Sequence, residues 1–184
     1  MKKATSGDKR QPPRNSRSSK RSGEGSTLGS FPSDWLTLLR LLAHHRVRFL
    51  LVGAHALAVH GIPRATADLD LLVEPSLANA KKLSKAVRAF GFADLADAIP
   101  NVMSKGRRMF RMGVEPLRID VMNAIDGVTF ARAWSGAMRI ALEGEVLFVL
   151  GLRELRDNKK KAGRLKDLAD LESIDRMQRR PARQ

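Results

Sequence analysis

Asp68 and Asp70 stand two apart in the run Asp68-Leu69-Asp70-Leu71-Leu72-Val73. In an extended chain alternate side chains share a face, so the two carboxylates point the same way while Leu69 and Leu71 point into a core. Acids that close repel each other unless a cation lies between them, and a hard divalent ion such as Mg2+ or Mn2+ is the simplest remedy. A third acid, Asp120, lies in Pro116-Leu117-Arg118-Ile119-Asp120-Val121-Met122. Alternation there puts Arg118, Asp120 and Met122 on one face. Asp120 is then an acid on an otherwise apolar strand, open to an ion pair with Arg118 or another base. Upstream, Gly53 follows the apolar run Phe49–Val52 and precedes the helix-prone Ala54–Val59. A strand that turns through glycine into a helix presents backbone N–H groups and a positive dipole end to an anion. A divalent ion on the aspartates would sit beside this phosphate-binding turn.

The elements that must position these groups follow from periodicity. Phe49–Val52 and Asp68–Val73 are expected strands, with Gly53–Val59 between them as a turn and short helix. Ser33 is expected to cap a first helix whose apolar positions are Trp35, Leu36, Leu38, Leu39, Leu41 and Leu42; His44 and His45 end it as solvated residues. Ser76 is expected to begin a helix with Ala78, Leu83, Ala86, Val87 and Phe90 inward, and Lys81, Lys82, Lys85 and Arg88 on a solvated face. Residues 92–104 carry a poor helical signal. Strands are expected at 107–111 and 116–122 around Gly113, a short helix at 128–134, and strands at Met138–Leu142 and Val146–Leu150 turned by Glu143-Gly144. A basic helical segment, Leu152–Lys161, is interrupted at Gly163, and a last helix from Leu165 to Met177 turns Leu168, Leu171 and Ile174 inward. The expected class is α/β (α+β), a mixed sheet flanked by helices. The expected domains are a disordered basic arm over 1–30, one folded domain over 31–177, and a basic tail over 178–184.

The order of strand, glycine turn, helix, Arg64-Ala65-Thr66-Ala67-Asp68-Leu69-Asp70 and a distant Lys/Arg/Asp cluster resembles the nucleotidyltransferase superfamily of the DNA polymerase beta type. The wording VGAHALAVHGIPRATADLDLLV, with NKKKAGRLKDLADLESI further on, is similar to the small bacterial branch of AbiEii-type toxins and minimal nucleotidyltransferases. The resemblance implies Mg2+ or Mn2+ held by Asp68, Asp70 and Asp120, with phosphate cradled at Gly53 and Ala54. It implies a nucleotide site that also includes Arg64, Thr66, Lys159, Arg164, Lys166 and Asp167. Arg64 would meet phosphate or brace Asp70. Lys159 would neutralise the leaving pyrophosphate, with Asp167 holding it or a base. The resemblance further implies a nucleoside triphosphate as donor, an RNA or protein hydroxyl as acceptor, and an antitoxin partner. One departure stands out: the wider superfamily often carries Ser after the turn glycine, and this chain has Ala54. His55 would have a local hydrogen-bonding role or reach the nucleotide.

Composition sets the outer bounds. The 184 residues are 43% apolar and include no cysteine, which excludes disulfides, a zinc ribbon and a thiol nucleophile. No run is apolar enough to span a bilayer and the N-terminus lacks the apolar core of a secretory signal, so a cytoplasmic protein without membrane contact is expected. The formal charge is +15, of which residues 1–32 carry +6 and residues 176–184 carry +4. Charge on the ends can follow a phosphate backbone without demanding geometry, or simply keep the chain soluble. A dinucleotide-binding Rossmann unit is excluded because no second and third glycine follow Gly53 at the required spacing, and a Walker loop is absent. A catalytically weak nucleotide- or RNA-binding module remains the alternative to the enzyme.

Overall fold

The computed structural model describes residues 31–179. The expectations for the arm 1–30, and for the tail from residue 180 onward, lie outside the described residues. Among the described residues, six strands form one mixed sheet in the order β3-β4-β2-β1-β6-β5. They are β1 (Phe49–Leu51), β2 (Asp68–Val73), β3 (Met109–Met112), β4 (Arg118–Met122), β5 (Met138–Leu142) and β6 (Glu145–Val149). The helices of the described residues flank them: α1 (Ser33–His44), α2 (Gly53–Val59), α3 (Leu77–Ala89), α4 (Ala93–Val102), α5 (Phe130–Ser135), α6 (Leu152–Ala162) and α7 (Leu165–Gln178). The mixed α/β class expected from the pattern is the one observed.

The central strands are buried along their length, Leu50, Leu51, Leu69 and Leu71 being wholly inaccessible. β2 alternates as expected: Leu69 and Leu71 are in the core, while Asp68 and Asp70 are partly exposed. β1 and β2 run antiparallel, β2 and β4 parallel, and β3 folds back antiparallel on β4. The register sets Asp68 beside Arg118, Asp70 beside Asp120, and Arg111 of β3 on the other side of Asp120. Residues paired across neighbouring strands share a face. The three acids therefore stand together on one surface of the sheet.

Several local expectations are corrected. Pro32, not Ser33, is the N-cap of α1, and no side chain caps that end. In α3, Ser76 does cap, accepting from the Asn79 amide, but Ala78 is exposed and the buried stripe is Asn79, Ala80, Leu83, Ala86 and Val87. Buried Asn79 is explained by three bonds: it accepts from the Arg48 amide at 2.8 Å and donates to the carbonyls of Arg48 and Glu74. It ties the entry of β1 to the exit of β2, where an apolar residue would leave the Arg48 amide unpaired. α4 is a full ten-residue helix although its sequence signal is poor. Pro100 and two aspartates weaken its propensity, but Ala96, Ile99 and the following Met103 are buried, and packing decides. In α7 only Ile174 of the three expected apolar residues is buried; Leu168 is 49% exposed, and Asp167 and Asp170 face inward instead.

Candidate functional site

A cavity of about 800 Å3 opens over the sheet face that carries Asp68, Asp70 and Asp120. Gly53, Ala54, Arg64, Thr66, Lys159, Arg164, Lys166 and Asp167 also line it, so the residues expected to hold metal and nucleotide border one space, while His55 does not line it. The α2 end is built for close approach. Gly53 has φ +65°, and a Cβ there would lie 2.1 Å from Asp70 Oδ2. A larger residue would have to displace the aspartate, and a left-handed backbone disfavours one anyway. The amides of Gly53, Ala54 and His55 donate to no acceptor among the described residues, as expected at a helix start.

The acids differ sharply in their partners. Asp120, 7% exposed, accepts from Arg111 through both oxygens, at 2.6 and 2.9 Å. Asp68 accepts from Arg118 at 2.5 Å through Oδ2, and its buried Oδ1 has no hydrogen-bond partner among the described residues. Arg118 also donates to Glu115 at 2.8 Å. Asp70 has no ion pair among the described residues, and its carboxyl is pushed up to about 6. Burial is the main cause, followed by the charges of Asp120 and Asp68; Lys166 and Lys159 pull the other way. Of the two sequence readings of Asp120, the ion pair is the one observed, and the base is Arg111.

The second wall of the cavity is a charged network between α6 and α7. Lys159 is 7% exposed and lies 2.8 Å from both Asp167 and Asp170. Arg64 donates to both oxygens of Asp170, at 2.8 and 2.6 Å. Arg64 therefore does not brace Asp70; it pairs with Asp170 from the cavity wall. Asp167 holds Lys159, one of the two roles expected of it. Although burial works against ionisation, the Lys159 bond and charge and the Arg164 amide keep the Asp167 carboxyl below its ordinary value. Arg164 is the N-cap residue of α7, its Nε only 4.0 Å from Asp167, and its side chain is 63% exposed. Lys166 is exposed and makes no ion pair among the described residues. Thr66 bonds locally, accepting from the Asp68 amide at 3.2 Å. The histidines stay local: His60 Nε2 bonds the Leu150 carbonyl, and His55 packs between Phe31 and Trp35, where burial lowers its basicity.

Arg111 and Asp170 were not among the residues expected at the site. Asp170 had a signal, since it follows Asp167 by three residues and so shares its helical face. Arg111 had one only if the register of the β3–β4 hairpin were known.

What the fold and site define is a mixed α/β domain with three acids and a rim of arginine and lysine around one cleft. No protein-family model matches the chain, and no curated protein matches it. Among solved structures it is similar to the crystal structure of a "putative nucleotidyltransferase" from Thermotoga maritima, at 14% identity and a TM-score of 0.48, covering 82% of this chain and 97% of that one. A likeness at that level assigns no activity.

Proposed function

We propose that the chain is a divalent-cation-dependent nucleotidyltransferase, moving the NMP of a nucleoside triphosphate to a hydroxyl of RNA or protein. The observation that carries this reading is the gathering of Asp68, Asp70 and Asp120 on one face of a cavity that also meets the Gly53 turn. In the reaction a hydroxyl oxygen forms a bond to the α-phosphorus, the bond to the bridging oxygen breaks, pyrophosphate leaves, and the hydroxyl proton is lost.

The donor set suits a hard divalent ion. Asp68 Oδ1 is buried without a partner and Asp70 is unpaired among the described residues, so carboxylate oxygens are open to one. As placed, no three acidic or histidine side chains converge on a common ion among the described residues, because Asp68 and Asp120 are turned to arginines. When bound by Asp68, Asp70 and Asp120, Mg2+ or Mn2+ would neutralise phosphate charge and make the attacking hydroxyl more acidic. The chain's own groups do the remainder. The amides at Gly53 and Ala54 donate to phosphate oxygens, the Lys166 ammonium and Arg164 guanidinium meet the polyphosphate tail from the rim, and buried Lys159 and Asp167 hold α6 against α7.

A second reading, a nucleotide- or RNA-binding module with weak or no catalysis, is favoured by the two arginine–aspartate pairs and by Ala54, which offers no hydroxyl to phosphate. Labelled NTPs with Mg2+ and total RNA or lysate protein separate the two. Transfer by the wild type that disappears in Asp68→Ala/Asp70→Ala supports the enzyme, and absence of transfer with retained NTP binding supports the module. The finer assignment, toxin or modifying half of a toxin–antitoxin pair with an antitoxin partner, is supported by the wording of the sequence motifs alone. The basic ends of the chain support an RNA acceptor. Among the described residues no helix is long and apolar enough to cross a membrane.

A further inference from the structure

We infer that Arg111 and Arg118 are resident counterions of the acidic group, competing with a divalent cation for Asp120 and Asp68 so that the cation site is latent until both guanidiniums turn away. The inference rests on the reading of Asp68, Asp70 and Asp120 as cation ligands, and it concerns what keeps that site closed. Three acids packed on adjacent strands need positive charge among them. Two guanidiniums supply it: Arg111 takes both oxygens of Asp120 in a fork, and Arg118 takes one oxygen of Asp68. A guanidinium fork takes one acceptor direction on each Asp120 oxygen and adds its own charge against an arriving cation. The third acid, Asp70, is the one the arginines leave alone.

The two arginines are also placed to leave. Arg111 comes from β3, the edge strand of the sheet, and its side chain is 47% exposed. Arg118 has a second partner, Glu115, whose side chain is 68% exposed, so its guanidinium already spans the acid and the rim. Both line the cavity, where a released guanidinium would face an anionic ligand. The cation site therefore opens most readily when a polyphosphate is present to receive the arginines.

Mn2+ binding to the full-length protein, without nucleotide, tests this by titration calorimetry and by the loss of the free-ion electron paramagnetic signal. Arg111→Gln and Arg118→Gln each tighten Mn2+ binding by roughly three- to tenfold, the range expected when a partly exposed ion pair stops competing. Arg107→Gln is the control, because Arg107 lines the same cavity but pairs with Asp126 and none of the three acids. Equal tightening in Arg107→Gln would mean that overall charge, not local competition, is responsible, and overturns the proposal. Unchanged or weaker binding in the Arg111 and Arg118 variants overturns it as well. Should a glutamine variant fold poorly, Mn2+ raising its melting temperature more than the wild type's supports competition, and an equal rise refutes it. Tightening without any NMP transfer leaves the latent site standing and removes the transferase; transfer without tightening does the reverse. No Mn2+ binding by any form removes both.

Discussion

Asp70 is predicted to cost the fold stability that its replacement would return. Its carboxyl is pushed from 3.8 to about 6 by burial and by the neighbouring Asp120 and Asp68. The folded state therefore binds the Asp70 proton more tightly than the unfolded state does. Stability falls as pH rises from about 4 through 6, and at pH 7.5 the penalty is fully present. A shift from 3.8 to about 6 corresponds to about 3 kcal/mol at about 1.4 kcal/mol per unit, a ceiling that partial solvation lowers towards 2. Asn has the same shape and no charge to desolvate. Urea denaturation in EDTA should show Asp70→Asn more stable than the wild type by about 1–3 kcal/mol at pH 7.5, with the gap closing as pH falls to 4. The variant should meanwhile be devoid of NMP transfer. A variant less stable than the wild type at pH 7.5, or a gap that does not change with pH, would refute the reasoning.

Other substitutions probe the supports of the same cavity. Lys159→Met leaves Asp167 and Asp170 buried without their shared cation and should destabilise by roughly 3–5 kcal/mol at neutral pH. Because Asp167 lies below its ordinary pKa in the wild type, its contribution is present above about pH 4 and lost as pH falls further; the deficit of the variant in chemical denaturation should shrink in acid. Gly53→Ala meets both a left-handed backbone and the Asp70 carboxylate, and should lose about 1–3 kcal/mol of stability together with nucleotide binding in a filter or calorimetric assay. Asn79→Leu strands the Arg48 amide where β1 begins, and thermal melts should report a loss of about 1–3 kcal/mol, without a specific effect on ligand binding.

The likeness between expected and observed structure is uneven in a way that tracks range. The alternation of β2 was legible because a half-buried strand writes its two faces into adjacent residues, and Gly163 marked the break between α6 and α7 for a similarly local reason. The inward stripe of α7 misled because hydropathy cannot see a buried ion network: Asp167 and Asp170 occupy the inner face, and Leu168 is left outside. α4 was obscure since its propensity is poor and its stability comes from α3, to which it is held by the Ser84 hydroxyl on the Ala96 carbonyl at 2.7 Å.

By itself the sequence determined the chemical inventory and its local spacing: an aspartate pair on one strand face, a glycine before a helix, a third acid on another strand, and Lys/Arg/Asp groups near the C-terminus. These depend on periods of two or of about 3.6 residues, which the chain carries within a few positions. Only the tertiary structure decided who neutralises whom. Arg64 meets Asp170 across 106 residues and Arg118 meets Asp68 across 50. Several arginines lie within reach of the acids, and Coulomb attraction does not choose among them in a linear chain. Strand register and helix docking make that choice by setting which charges are a few ångströms apart and shielded from water.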